Sequence, residues 1–379
     1  MYIPTSNVEE IVNGIEQLNV LKNKTVLILL AGQEPPEVLH LISELNKKKI
    51  DFFGGIFPGL IYGAEKYHTG AIIHALPVIQ RPILIQNISE PSKDLSSYYT
   101  PLDKSYKHKP TAFIIADGLS PKIYSFLSSV YNIYADSVHY FGGGAGTPSF
   151  KEQPCIFNSD GFFQDSAIIA FVDAKCGLGV QHGWHRIMGP IIVTKSEGNV
   201  IKELNWKNAF EVYQEAIETD SGRKIDPANF FEISLNYAFG IYCEGAEDIV
   251  RDALKVNEKG ELICAGEVPE NAVINILKGE KLSLIKSAET ALEDSLSAGD
   301  MDVNHCLVMD CIARSMFLED DFKEEIRTIM KGFESRNIHV VPEGVLSLGE
   351  IASRKEGVLE LFNKTIVIGV FHESTDTAH

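Results

Sequence analysis

Phe141-Gly142-Gly143-Gly144-Ala145-Gly146 is the stretch whose reading decides the fold. A strand enters it through Val138-His139-Tyr140. Beyond it the chain crosses a hairpin at Asn158-Ser159-Asp160-Gly161 and an apolar strand, Ala167 to Val172, and arrives at Gln181-His182-Gly183-Trp184. Glycines this dense let a backbone adopt positive φ and approach another chain or a ligand closely. Two readings stand side by side. The run either makes tight turns and close packing in a core, or it forms the lip of a small-molecule pocket that Gly143, Gly144 and Gly146 touch.

The order around this stretch recurs. Upstream lie the apolar strand Thr25 to Ala31 and a helix from near Pro35, which ends in Lys47-Lys48-Lys49, where cations suit the dipole. Strand Ile50-Asp51-Phe52-Phe53 then runs into Gly54-Gly55, followed by a loop, Gly59 to Gly63, and strand Ala71 to Leu76. The central copy has strand Thr111 to Ala116 and a helix opened by Ser120-Pro121, with Ser as N-cap and Pro at the first helical position. A looser third copy has strand Cys306 to Asp310, an amphipathic helix Glu319 to Glu334, Ile338-His339-Val340-Val341 running into Pro342-Glu343-Gly344, and strand Thr365 to Phe371. In this alignment His139 and His339 are equivalent. Repeated strand–helix–strand–glycine turn–strand units predict a mixed α/β (α+β) fold of mixed sheets flanked by helices, in two domains. Three glycine turns at equivalent strand ends are expected to converge on one cleft.

Between the second and third copies the pattern changes. Val180 to His185, Ile191 to Lys195 and Val200 to Leu204 read as strands. A helix from Trp206 or Lys207 to Ile217 follows, and Thr219 to Pro227 is turn-rich, the candidate domain boundary. Ile249 to Val256, Glu261 to Ala265 and Ala272 to Leu277 read as a three-stranded meander, and a helix runs from Leu282 to about Leu296. Residues 1–22 read as a polar helix, 86–110 as a polar connector and 372–379 as a flexible tail. The domains are therefore expected at 1–24 (an N-terminal helix), 25–218 and 219–371.

The 379 residues carry a net charge of −18 with pI near 5.1. So acidic a surface repels nucleic acid and anionic membrane, and neither is an expected partner. The start, Met1 to Glu10, has no basic and apolar signal pattern, and no run is long enough to span a bilayer. Six cysteines without a Cys-x-x-Cys pair argue against a disulfide framework or structural zinc and point to a reducing cytoplasm.

Enzyme signatures fail one by one. Gly142-x-Gly144 is followed by Thr147 where a dinucleotide fingerprint has glycine, and no phosphate-loop, His-Glu-x-x-His or Gly-x-Ser-x-Gly motif is present. His182 and His185 are three apart, but on a strand His182 shares a face with Trp184, which disfavours a two-His metal site unless the strand breaks at Gly183. His182 beside Trp184 reads either as a pocket-facing hydrogen-bonding or axial-ligand pair or as a core histidine bonded to backbone. Covalent haem attachment lacks its motif. Non-covalent haem needs only one histidine, here His182 as iron ligand, and an apolar pocket. Glu350 and Arg314 are charges next to apolar strands, as paired structural charges or as partners for an amino-acid ligand. With Cys311 they are also the residues that a small-metabolite enzyme would use, although no nucleophile–base motif supports one.

Three segments resemble the FIST sensory domain in both its N-terminal and C-terminal parts. The first comprises His182-Gly183-Trp184, Gly189-Pro190, Val193-Thr194, Glu197-Gly198-Asn199-Val200, Glu203-Leu204 and Ala209 to Tyr213. The second comprises Phe239-Gly240-Ile241, Glu244-Gly245, Val250-Arg251 and Leu262 to Glu270. The third is Gly349-Glu350-Ile351 with Phe362-Asn363-Lys364-Thr365. Together with the glycine run they cover residues 25 to 371, and they depart from the family at Cys311 to Arg314 and at Pro342-Glu343-Gly344. The resemblance implies an intracellular sensor without catalysis, for a small ligand such as an amino acid. It also implies, through free-standing members that look like haem-based nitric-oxide sensors, a haem group. The resemblance fills the chain, so the signal is expected to pass by contact with a separate histidine kinase or cyclic-di-nucleotide enzyme, with a homodimer as a further expectation.

Overall fold

The computed structural model describes residues 1–18, 24–90, 95–98, 108–297, 303–353 and 357–372. Residues 91–94 and 99–107 of the connector, and all but His372 of the expected tail, lie outside the described residues.

The apolar runs form three units of one design. Unit I has strand Lys24–Ala31, helix Val38–Lys47, strand Phe52–Phe57, hairpin Gly59–Tyr62/Glu65–Tyr67 and return strand Ala71–Pro77. Unit II has Thr111–Asp117, helix Ile123–Tyr134, His139–Ala145, hairpin Ile156–Asn158/Gly161–Phe163 and Ser166–Val172. Unit III has His305–Cys311, helix Phe322–Glu334, Pro342–Ser347, hairpin Glu350–Ser353/Leu359–Phe362 and Ile366–His372. In each, the first two strands are parallel and the return strand runs antiparallel to the first. A short strand edges each return strand: Tyr2–Ile3, Ile83–Gln86 and Lys175–Gln181.

The hairpins are exchanged around a ring. Hairpin II pairs with the second strand of unit I, hairpin III with that of unit II, and hairpin I with that of unit III. Each second strand thus gains a partner from another unit, and three six-stranded sheets result. An unpaired edge is a liability, and this exchange removes it from every second strand. Period-2 alternation then sorts the side chains. In the first strand of unit II, Phe113 and Ile115 enter the core shared by the sheets, while Ala112, Ile114 and Ala116 face helix Ile123–Tyr134. At the centre the rings of Phe53, Phe113, Phe141 and Phe371 stack edge to face in succession, with centroids 5.6–6.1 Å apart.

The glycines belong to strands, not turns. Gly54, Gly142 and Gly344 stand opposite Ile28, Ile114 and Val308 on the parallel neighbour and opposite Phe157, Ile351 and Ile61 on the imported hairpin. A Cβ at these positions would lie 2.0, 1.8 and 1.9 Å from the carbonyl oxygens of Ile28, Ile114 and Val308. Close packing is their function, and beneath them lies the aromatic core rather than a shared cleft.

This register also corrects the third copy. Gly344 is the counterpart of Gly142, so Val341, not His339, corresponds to His139. The joint from helix III to its strand is longer than in the other units, which shifts the frame. Gly59 to Gly63, read as a loop, supplies the first strand of hairpin I. Ser120 does not cap helix Ile123–Tyr134; its hydroxyl donates to Asp165 (2.8 Å).

After unit II the chain runs along the edge of the third sheet as Lys175–Gln181, breaks at Gly183 (φ +74°), and continues as His185–Glu197 into a fourth sheet, antiparallel and of eight strands. The expected meander is split there. Leu262–Cys264 pairs with Val200–Leu204, whereas Val273–Lys278 is inserted between Tyr237–Ile241 and His185–Glu197. Helix Ala209–Ser221 covers this sheet, and helix Lys281–Leu296 packs on the third sheet of the ring. Among the described residues, no helix is long and apolar enough to cross a membrane.

Candidate functional site

A cavity of about 270 Å³ opens where the eight-stranded sheet meets units II and III. Its ring side is built from the segments that follow the first strands: Gly118 to Pro121 in unit II, and Cys311 to Ala313 in unit III. Leu348-Gly349 and Asn363 come from the two ends of hairpin III. The opposite side carries Asn199, Asp252, Cys264 to Glu267, and Phe231 and Leu235 from helix Phe230–Ser234 and its C-cap. Strand ends are where α/β sheets accept ligands, because side chains and backbone diverge there.

The polar groups at the wall are few and buried. Asp252 and Asn363 are about 6% and 5% exposed. Asp252 pairs with the fully buried Lys364 (3.2 Å), which also donates to the Leu235 carbonyl (2.9 Å). Asn363 Oδ1 has no hydrogen-bond partner among the described residues. A buried acceptor without a donor costs roughly 1–3 kcal/mol. Behind Cys311 sits Glu350, wholly buried; Oε1 accepts from Ser347 (2.7 Å), and Oε2 has no hydrogen-bond partner among the described residues. Burial pushes its carboxyl up to about 8, against the hydrogen bonds from Ser347, the Thr365 N–H and Cys311. Burial, with Glu350 adding to it, also pushes the Cys311 thiol well above its ordinary range.

The FIST N domain model matches residues 24–207 and the FIST C domain model residues 209–353. The chain belongs to the FIST family. No curated protein matches it. FIST domains are small-ligand sensor domains of signalling proteins, not catalytic domains. The two FIST parts interlock: hairpin I of the N part completes the third sheet, and hairpin III carries Glu350–Ser353 of the C part into the second.

Of the residues singled out from sequence, Cys311 lines the cavity, whereas Gly143, Gly144, Gly146, His182, Trp184, Arg314 and Glu350 do not. Gly143, Gly144 and Gly146 form a layer against Ser347 and Leu348; a Cβ at Gly144 would meet the Leu348 carbonyl at 2.4 Å. Arg314 is fully buried, and its guanidinium is saturated. It pairs with Glu325 and donates to the carbonyls of His182 and Leu284 (2.7 Å) and to the Ser287 hydroxyl (2.9 Å). Trp184 donates from Nε1 to the Lys364 carbonyl (3.1 Å), and the Lys364 ammonium lies 4.6 Å from its ring centroid. His182 Nδ1 accepts the Trp184 N–H (2.8 Å), so its proton is on Nε2, which faces Glu247 at 3.7 Å. Burial lowers its pKa and keeps the ring neutral. This arrangement does not fit an axial haem ligand: one nitrogen accepts from backbone, the other carries its proton toward a carboxylate, and neither His182 nor Trp184 lines the cavity. His185, across the break at Gly183, pairs instead with Glu280 (3.7 Å).

Asp252, Glu267 and Asn363 were not picked out as site residues, yet each lies within or beside a segment that carries the family resemblance. Asn199, Ala265 to Glu267, Gly349 and Asn363 all come from those segments and meet at the cavity wall. Their convergence, rather than any single charged residue, was the usable signal.

Proposed function

We propose that this FIST protein is a sensor whose ligand, an amino acid or a related small metabolite rather than haem, binds in the cavity between its two parts. The observation that carries this reading is Asn363. It is buried at the cavity wall with an acceptor oxygen that nothing among the described residues satisfies, near the buried carboxylate of Asp252. A pocket that pre-forms a few polar groups in an apolar lining is what small-molecule recognition requires. The thiol of Cys311 is held protonated and Arg314 is fully engaged, so neither supports chemistry on the ligand. The signal passes by contact with a separate partner, a histidine kinase or a cyclic-di-nucleotide enzyme, as befits a sensory family.

The test is a thermal-shift screen of the full chain against amino acids and their metabolites, repeated on Asn363→Leu. A ligand that raises the wild-type Tm and fails to raise that of the variant supports the site. A ligand that stabilises both equally sinks it. Protein supplied with haem should show no Soret band that depends on His182; a band lost in His182→Ala would restore the haem reading.

A further inference from the structure

The cavity has two chemically distinct ends. Its charged wall residues among the described residues are Asp252 and Glu267, both anionic; no lysine, arginine or histidine lines it. Lys364 neutralises Asp252 from the far side, but it is fully buried and its ammonium is turned to the Leu235 carbonyl and to Asp252 itself. The Glu267 carboxylate accepts from the Ser125 hydroxyl (3.2 Å), and its backbone carbonyl accepts from Nε of the buried Arg251 (3.0 Å), whose guanidinium is spent on this and two further carbonyls. Asn363 adds a bare acceptor. The polar end therefore presents two carboxylates and an amide oxygen, while the nearest cations, Lys364 and Arg251, are held behind its wall by acceptors of their own.

The mouth is apolar. Phe150, Phe231, Leu254 and Met316 line it and are 48%, 49%, 39% and 37% exposed. Large apolar side chains left half in water gain free energy when something apolar covers them. These four come from separate segments of the chain and converge on one opening. Their covering is completed by whatever enters it.

We propose that the cavity takes a ligand with a protonated amine head and an apolar body, for which a carboxylate is no requirement. This rests on the cavity being the ligand site and narrows what that site accepts. The ammonium donates to Asn363 Oδ1 and lies in the field of Asp252 and Glu267. The body fills the mouth and dries the four apolar side chains. A carboxylate carried into the same space meets two carboxylates and an amide oxygen, with the Lys364 ammonium already committed.

The experiment uses the full chain and three probes of one aromatic body: 2-phenylethylamine, phenylalanine and 3-phenylpropionate. Calorimetric titration should show the amine binding, phenylalanine binding more weakly and phenylpropionate not binding. Glu267→Gln, on the partly exposed rim where folding is not at stake, should weaken the amine by roughly threefold. Asn363→Leu should weaken it by about tenfold or more, the worth of a hydrogen bond to a charged group. Phenylpropionate binding as well as the amine, or none of the three binding, overturns the amine class and leaves the cavity to the amino-acid screen above. Ala313→Phe, which fills the cavity from helix Ile312–Leu318, tells the two readings apart. Amine binding that survives this change places the ligand elsewhere and overturns the site itself.

Discussion

Replacing Gly142 by alanine tests the reason the ring closes. The added Cβ would lie 1.8 Å from the Ile114 carbonyl oxygen, and contacts under 3.0 Å are essentially never seen for a real Cβ. The two parallel strands must part by about 1.2 Å at that point. The obstacle is backbone, so no rotamer change relieves it. The Gly142 strand cannot retreat outward either, because its other edge is paired with hairpin III through Gly143–Glu350, Gly142–Ile351 and Phe141–Ala352. Parting the strands breaks about two ladder bonds, worth ~1 kcal/mol each. Shifting Phe141 in the aromatic core adds ~1–3 kcal/mol of misfit. The total is roughly 3–5 kcal/mol out of the ~5–15 kcal/mol that hold a domain together.

In thermal denaturation this should appear as a fall in Tm of about 10 °C. Gly63→Ala is the control: its φ is +58° and no atom lies within 4 Å of the added Cβ, so only the left-handed backbone resists, at ~1 kcal/mol. Gly54→Ala and Gly344→Ala should match Gly142→Ala to within a factor of two. Equal Tm shifts for Gly142→Ala and Gly63→Ala would refute the close-packing argument.

Two further outcomes follow from the buried charges. Arg314→Met removes the guanidinium that answers Glu325 and four other acceptors, and should cost ~3–5 kcal/mol in urea unfolding; a loss below ~1 kcal/mol would show that the network is dispensable. Glu350, whose carboxyl is pushed up to about 8, binds its proton more tightly folded than unfolded. Wild-type stability should therefore fall as pH rises from about 4.5 to 8, since the native state holds a proton there that the unfolded state has released. Glu350→Gln lacks this term, so its Tm should rise relative to wild type across that window; a constant difference from pH 5 to 8 would refute the assignment.

The repeat was legible because apolar strands and an amphipathic helix recur in a fixed order, and unit I and unit II stand where their patterns put them. What could not be read was the exchange. Nothing local in Gly59 to Tyr67 or in Ile156 to Phe163 says which unit its hairpin will join, because an antiparallel edge accepts any strand of suitable length and the choice is made by closure of the ring. The frame of unit III slipped because its apolar run Ile338 to Val341 precedes the strand, whereas Gly344, the residue under steric constraint, fixes the register. At the site, charge misled. Arg314 and Glu350 stand out beside apolar strands because they are buried, and a fully buried charge is more often spent on its neighbours than kept for a ligand. Asn363 and Asp252 looked ordinary in sequence, and only their burial at a cavity wall gives them a role.

The cavity lies where an exchanged hairpin leaves its own unit. Gly349 and Asn363, both at its wall, flank the two strands of hairpin III, whose first and last residues, Glu350 and Phe362, are paired. The same hairpin is the piece that unit III lends to unit II. At its base the Gly349 carbonyl accepts the Gly144 N–H (2.7 Å), and the Leu348 N–H donates to the Gly144 carbonyl (2.8 Å). A ligand held by Asn363 therefore grips the hairpin where it leaves its own unit, within two hydrogen bonds of the glycine strand that receives it. Movement of Gly349 cannot be absorbed by side-chain rotation, because Gly144 has none and its Cα is packed against the Leu348 backbone. The glycine run does not line the cavity, yet Gly144 is bonded directly to the Leu348-Gly349 segment that does.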